Sequence, residues 1–226
     1  MTQKHVLVTG GLGGIGTSIV KYFARAGYKT AATYASFEKD KIKSWMEMIE
    51  KEVLEVHLFE VDVADFESCH ALSHKVAADF GAVDILVNCA GIIRDSVFKK
   101  MPYENWDQVL KVTLYIVFNV TRHFFEAMLI RKWGRVINIT SVNGQKGQFG
   151  QANYSATKAG VHGLTMALAQ EGAKHGVTVN SVAPGYTATE MMLQVPESVL
   201  DDIKKHIPMG RLARPEEIAA SVLFLA

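Results

Sequence analysis

Three side chains in the middle of the chain have types and spacing suited to proton transfer onto a carbonyl. Ser141 closes an apolar run, Tyr154 follows thirteen residues later at the start of a helical pattern, and Lys158 stands four residues beyond it. Positions i and i+4 share one helix face, which makes the phenol and the ammonium neighbours. An ammonium ~4 Å from a phenol at an effective dielectric of ~20 contributes roughly 4 kcal/mol, about three pKa units, toward the phenolate. The expectation is a poised tyrosine that protonates a carbonyl oxygen as hydride reaches the carbon. Ser141 would hold that oxygen, and Lys158 would hold the ribose of the hydride donor. A Tyr-x-x-x-Lys pair alone is common on helix surfaces, so its meaning depends on what else the chain supplies.

A place for the hydride donor is written near the amino terminus. The first apolar run ends in TGGLGGIG, Thr9 to Gly16, and a helical pattern follows at once. Gly11, Gly13 and Gly16 fit G-x-G-x-x-G, while Gly10, Gly14 and Gly16 fit the wider G-x-x-x-G-x-G. Either spacing lets backbone N–H groups approach a pyrophosphate at a helix N-terminus. At the end of the second run, where an NAD site offers a carboxylate to the ribose 2′-hydroxyl, the residues are Tyr34, Ala35 and Ser36. Ser36 and Lys39 are placed to meet a 2′-phosphate, which favours NADP(H). The alternative is that Glu38, Lys39, Asp40 and Lys41 simply open a solvated helix.

The elements that must position these groups are legible as alternation. HVLVT at 5–9, KTAATY at 29–34, EVHLFEV at 55–61, VDILVN at 83–88, RVINIT at 135–140 and VTVNSVA at 177–183 read as six strands. Helical patterns lie between them, at 17–26, 37–51, 66–80, 106–131 and 152–175. Runs that are apolar at nearly every position suit a parallel sheet covered on both faces, a doubly wound α/β architecture or Rossmann fold. No repeat or linker divides the chain, so residues 1–226 are expected to form one dinucleotide-binding and catalytic domain.

Composition excludes other classes. The 24 Lys+Arg against 23 Asp+Glu leave a formal charge of +1, too little to draw the chain to nucleic acid or to an anionic membrane. The longest stretch without a formal charge, 16 residues from His5 to Val20, contains five glycines and resembles neither a membrane span nor a signal peptide. Two cysteines, Cys69 and Cys89, fit reduced thiols in a cytoplasmic protein. None of the eight histidines falls in H-E-x-x-H or another recognised ligand spacing, and no metal is expected.

Taken together, TGGLGGIG, Asp62, NCAG at 88–91, SVNGQKGQFGQANYSATKAG at 141–160 and PGY at 184–186 resemble the classical short-chain dehydrogenase/reductases along essentially the whole chain. The resemblance implies Ser141, Tyr154 and Lys158 at catalytic positions and a pyrophosphate turn running through Gly10, Gly11, Leu12, Gly13, Gly14, Ile15 and Gly16. It implies Asp62 and Val63 beside the adenine, Asn88, Ala90 and Gly91 on the ribose side, and Pro184 and Gly185 near the cofactor. QKGQFGQANYS, PGYTATEM and IPMGRLARPEEIA are most similar to the acetoacetyl-CoA reductase branch. That branch reduces a 3-ketoacyl thioester with NADPH to the (R)-3-hydroxyacyl thioester and supplies polyhydroxyalkanoate synthesis. The same carry-over adds Gln148, Phe149, Gln151 and Tyr186 as substrate contacts and implies a homotetramer.

The chain departs from the family pattern in three places. Cys89 stands where relatives have a second asparagine, Thr113 replaces the asparagine of a catalytic tetrad, and the sequence ends at Ala226 where relatives continue through a further strand and tail. A β-branched threonine that bonds back to its own helix would serve a proton relay poorly, which predicts a slow enzyme. Met191, Met192 and Leu193 are candidates for a substrate lid. Two other readings stand beside the first: a 3-oxoacyl carrier-protein reductase, with Arg131 and Lys132 available to an acidic partner, and a catalytically silent NADPH-binding module.

Overall fold

The structure, a computed structural model, describes residues 3–193 and 195–226; the side chains of Met191 and Leu193, two of the three lid candidates, lie outside the described residues. Its first half runs β1 (His5–Thr9), α1 (Gly14–Arg25), β2 (Lys29–Tyr34), a 3-10 turn Ser36–Glu38, α2 (Lys39–Lys51), β3 (Val56–Glu60), α3 (Phe66–Asp79) and β4 (Ile85–Asn88). The second half runs α4 (Tyr103–Leu110), a π turn Lys111–Tyr115, α5 (Ile116–Arg131), β5 (Gly134–Ile139), α6 (Asn143–Lys146), α7 (Ala152–Ala173), β6 (Val177–Val182), α8 (Glu190–Leu193), α9 (Glu197–Lys205) and α10 (Pro215–Phe224). All six strands are parallel in the order β3-β2-β1-β4-β5-β6. The order reverses between β1 and β4, which opens a crevice at their carboxyl ends, where doubly wound sheets bind ligands.

Alternate residues of each strand feed two separate cores. Leu7 of β1 packs with Leu72 and Val76 of α3 and with Phe124 and Met128 of α5. Val6 and Val8 point the other way, onto Ile19 and Phe23 of α1, Ile49 of α2 and Val222 of α10. Each strand therefore needs apolar residues on both faces, which is why the runs read as continuous.

The helical boundaries differ from expectation in instructive ways. α1 starts at Gly14 because the glycines that form the preceding turn also supply the first helical residues. The expected single helix at 106–131 begins at Tyr103, behind Pro102, and is interrupted by the π turn. The last third, where periodicity assigned no helix, carries α8, α9 and α10.

One row across the sheet is polar. Thr9, Asn88, Asn138 and Ser181 stand in register on β1, β4, β5 and β6. Asn88 Nδ2 donates to Asn138 Oδ1 at 2.8 Å and to Thr121 Oγ1 of α5 at 2.9 Å. Asn138 Nδ2 donates to Thr165 Oγ1 of α7 at 2.9 Å, and Ser181 Oγ meets His162 Nδ1 at 3.2 Å. Asn88 and Asn138 are buried, so each amide depends on these partners. Asn138→Ala removes both bonds of that residue and should lower unfolding free energy by about 1–3 kcal/mol, seen as a lower urea midpoint at unchanged slope. An unshifted midpoint would mean the row does not hold the helices to the sheet.

Candidate active site

The glycine turn works through close packing. Gly10 has φ +63°, a left-handed conformation that glycine adopts without strain. A Cβ at Gly16 would collide with the Gly10 carbonyl oxygen, so the first turn of α1 closes onto the end of β1 only with glycine there. Gly11 similarly faces the Ala32 side chain, and Gly14 faces Thr189 beyond β6. Gly13 alone has no close neighbour, so the spacing Gly10, Gly14, Gly16 describes the packing better than Gly11, Gly13, Gly16. Leu12 and Ile15 anchor the turn in the core shared by α1, α2 and α10. Gly13 and Gly14 are exposed at the helix N-terminus, where free N–H groups favour an anion.

The flanking positions are less uniform. Glu38, the first acid after β2, turns its carboxylate back to accept from the Ala35 N–H at 2.9 Å. Ser36 is exposed, but Lys39 is paired with Glu60 at 2.9 Å and its pKa is raised by that bond. Asp62 lies at the end of β3 with its carboxylate accepting from Ala64 N at 3.0 Å. Val63 packs against the core under α5, and its carbonyl accepts from Asn119 Nδ2. The Asn88 Nδ2 group belongs to the polar row, and its Oδ1 has no protein partner. Next to it, Cys89 N and Ala90 N donate to Thr9 Oγ1, while a Cβ at Gly91 would stand 3.6 Å from Thr113 and 3.7 Å from Lys158 Nζ.

Ser141, Tyr154 and Lys158 converge beyond β5. Ser141 is buried, and its hydroxyl accepts from Asn143 N at 3.1 Å at the entry to α6. Tyr154 sits in the first turn of α7, where Asn153 Oδ1 receives its N–H and Asn153 Nδ2 reaches the Arg94 carbonyl. Lys158 is 5% exposed, donates from Nζ to the Ile139 carbonyl at 2.7 Å and lies 5.6 Å from the centroid of the Tyr154 ring.

This geometry overturns the expected electrostatics. Burial pushes the Tyr154 phenol up to about 12, with the Ser141 hydroxyl pulling it partly back, and burial pushes the Lys158 ammonium down to about 8. The ammonium sits beside the ring and is spent on a backbone carbonyl, so desolvation outweighs Coulomb attraction. A phenol that holds its proton at neutral pH suits donation to a carbonyl oxygen.

Thr113 lies buried in the π turn, and its hydroxyl does not bond back into its own helix. Oγ1 accepts from Ile92 N and donates to Ile92 O, each at 3.3 Å, tying the segment after Gly91 to the helix.

A cleft of about 830 Å³ is lined by Val142, which follows Ser141 in the chain, by Gln148, Gly185 and Tyr186, and by Ile203, His206 and Met209. The Pro184 carbonyl accepts from Val142 N, which docks the PGY turn against the serine segment. Phe149 is 86% exposed at the rim. Gln151 is corrected: its side chain is committed to Asn143 and Asp95, at 2.8 Å each, and braces the entry to α7. Ile203 and His206 carry no motif, while Met209 falls within the IPMGRLARPEEIA segment. In that segment Arg211 donates to both Glu217 oxygens and, with the Arg214 N–H, holds the Glu217 carboxyl down at about 2. Arg131 and Lys132 end α5 at the amino edge of the sheet, where Arg131 bonds the Val83 carbonyl, so they lie away from this chain's own site.

A sequence profile described as short chain dehydrogenase matches residues 4–199. An acetoacetyl-CoA reductase from Allochromatium vinosum is 50% identical over 223 residues, covering 99% of this chain and 91% of the relative. A 3-oxoacyl-(acyl-carrier-protein) reductase from Staphylococcus epidermidis is 40% identical over 224 residues, covering 99% of this chain and 91% of the relative. Among solved structures, a single-site variant of the actinorhodin polyketide ketoreductase with NADPH superposes with a TM-score of 0.92 at 33% identity, covering 99% of this chain and 90% of that one.

The buried ammonium has a measurable consequence. The folded pKa of Lys158, about 8, lies below its ordinary 10.5, so the charged form costs stability at every pH below 8. That cost fades as pH rises from 8 toward 10.5. Lys158→Met should therefore be more stable than the native chain at pH 7, by up to about 3 kcal/mol. The gap should narrow by pH 10 in paired urea titrations, and a gap independent of pH would refute the assignment.

Proposed function

The chain belongs to the short chain dehydrogenase family, and we propose that within it the protein reduces the 3-keto group of acetoacetyl-CoA to (R)-3-hydroxybutyryl-CoA with NADPH. The observation that carries this reading is 50% identity, over nearly the full length, to an acetoacetyl-CoA reductase. The gathering of buried Ser141 and Lys158 with half-buried Tyr154 beyond β5 supports it.

The crevice residues fit a nicotinamide dinucleotide: an exposed helix N-terminus for the pyrophosphate, and an acid after β2 that is turned back into a cap and so does not meet the ribose. When bound, NADPH supplies the hydride that adds to the keto carbon. On the protein side, Ser141 donates a hydrogen bond to the keto oxygen and Tyr154 delivers the proton to it, so hydride and proton together make the alcohol. Lys158, charged at neutral pH, holds the ribose and supports the phenolate that Tyr154 becomes. Gln148 and Tyr186 line the cleft that takes the thioester. Thr113 acts by fixing the segment from Gly91 to Ile92 beside Lys158. Exposed Tyr115 and Phe118 in the π turn and α5, and Met166 on α7, support pairing of these helices in a homotetramer. The product would supply polyhydroxyalkanoate synthesis.

A second reading, reduction of a carrier-protein thioester, is favoured by the relative from Staphylococcus epidermidis. Comparing kcat/KM for acetoacetyl-CoA and for acetoacetyl carrier protein decides between them. A strong preference for the carrier form would overturn the first reading.

Two substitutions test the chemistry. Tyr154→Phe should lower kcat by about 10²- to 10⁴-fold while NADPH affinity stays within error, because only the proton donor is lost. Retained turnover would assign the proton elsewhere. Thr113→Val keeps the shape and deletes the hydroxyl; kcat should fall about tenfold, with a smaller change in NADPH affinity. An unchanged kcat would show that the Ile92 tether is not needed.

A further inference from the structure

Away from the crevice, α3 and α5 enclose a second cleft of about 500 Å³ on the outer face of their layer, lined by Glu67, His70, His74, Arg122, His123 and Glu126. The reductase reading uses none of these residues. His70 and His74 are exposed on α3 at i and i+4, with Nε2 atoms 3.1 Å apart and rings 4.6 Å apart at 81°. His123 of α5 stands behind them, its ring 5.2 Å from that of His70 and 4.6 Å from that of Phe66.

The separation of the two nitrogens identifies what could occupy the site. Two imidazoles on one tetrahedral zinc, at about 2.0–2.1 Å each, hold their nitrogens about 3.3 Å apart. At a right angle on a square-planar copper or nickel ion, the same bond lengths bring them to about 2.9 Å. The observed 3.1 Å lies between these values, so both lone pairs can meet one ion with only small rotations of exposed side chains. Spacing alone did not draw attention to this pair, because the glutamate of H-E-x-x-H is absent and the step is read as two solvated histidines.

We propose that His70 and His74 form a bidentate clamp for a divalent transition-metal ion, of the zinc, nickel or copper class, on the outer face of α3. Among the described residues no three His, Cys, Asp or Glu side chains converge on one point, so the remaining coordination positions belong to water. Glu67, one turn before His70, adds negative charge at the cleft. Glu126 is engaged by Arg122 at 3.1 Å and contributes less. Burial, then the neighbouring His70, lowers the pKa of His123. The site does not rest on the reductase chemistry and lies outside that cleft; Arg122 and Glu126 share the α5 face of Phe118, so it borders the helix pairing proposed for the homotetramer.

The test is calorimetric titration of the untagged chain with zinc chloride at pH 7.5, alongside His74→Gln and His70→Gln. The expected result is one ion per native chain and affinity weaker by about 10²-fold in either variant, since chelation by two tethered ligands becomes binding by one. Circular dichroism and NADPH-dependent turnover of both variants should match the native chain, since neither residue touches the site. Equal zinc affinity in native and variant chains, or no binding by the native chain, would overturn the proposal and leave the 3.1 Å contact as an N–H···N bond between neutral rings.

Discussion

The row of buried polar side chains at the carboxyl edge of the sheet sets the position of everything the active site uses. Buried amides tolerate few arrangements, because an unpaired one costs about 1–3 kcal/mol. The Nδ2 groups of Asn88 and Asn138 find their partners only when Thr121 of α5 and Thr165 of α7 stand at one height above the strands, while Asn88 Oδ1 has no protein partner. Lys158, His162 and Thr165 lie on one face of α7, seven residues or two turns from end to end. Once Thr165 meets Asn138, Lys158 is delivered to the end of β5, where Nζ finds the Ile139 carbonyl. The same registration brings Tyr154 beside Ser141. An apolar row would pack as tightly but would let α7 slide along the sheet, since dispersion and hydrophobic burial are not directional.

Burial then decides the chemistry that this placement allows. A lysine and a tyrosine on one helix face would, in water, move the phenol toward its anion. Here both groups lie in a medium that penalises charge, and each is driven toward its neutral form. The outcome is asymmetric at neutral pH: the lysine, near 8, keeps its proton, and the phenol, near 12, keeps its own. The site is thus charged as a proton donor backed by a cation, the state that carbonyl reduction consumes. Alcohol oxidation needs the opposite state of the tyrosine, at a higher pH or with further stabilisation of the phenolate.

What the sequence disclosed follows from the range of the interactions involved. Strand runs, the glycine turn and the Ser141, Tyr154, Lys158 set are legible because each rests on local periodicity or on a motif within one connection. Asn88, Gln151 and Lys39 were assigned to ligands because they stand in or beside motifs, yet each is committed to a partner between eight and fifty-six residues away. No local pattern records such a bond. Arg131 and Lys132 illustrate a related gap: charge is visible in a sequence, but which edge of the sheet it occupies depends on where the helix ends. Ile203 of α9 was hidden for a third reason: it is a side chain of ordinary type, and only the fold brings it to the cleft that Tyr186 lines.

The π turn is the case where pattern and structure diverge most, and its cause is steric. Apolar periodicity across 103–131 is satisfied by one uninterrupted helix, since a single wide turn shifts the pattern by only about one residue. The interruption falls where the Leu114 side chain packs against Gly160 of α7, at which a Cβ would stand 3.2 Å from it, and where Thr113 stands beside Gly91 after β4. Glycine at 160 eases the first approach, and from the wide turn Thr113 bonds both backbone groups of Ile92. An α-helical turn would direct the same hydroxyl toward its own preceding turn, the usual resort of a helical threonine. The π turn therefore converts a residue that would serve its own helix into one that serves the segment beside Lys158. Threonine at 113 is in this way an alternative means of holding the site together, and the length of its side chain, set against an asparagine, is compensated by the geometry of the backbone that carries it.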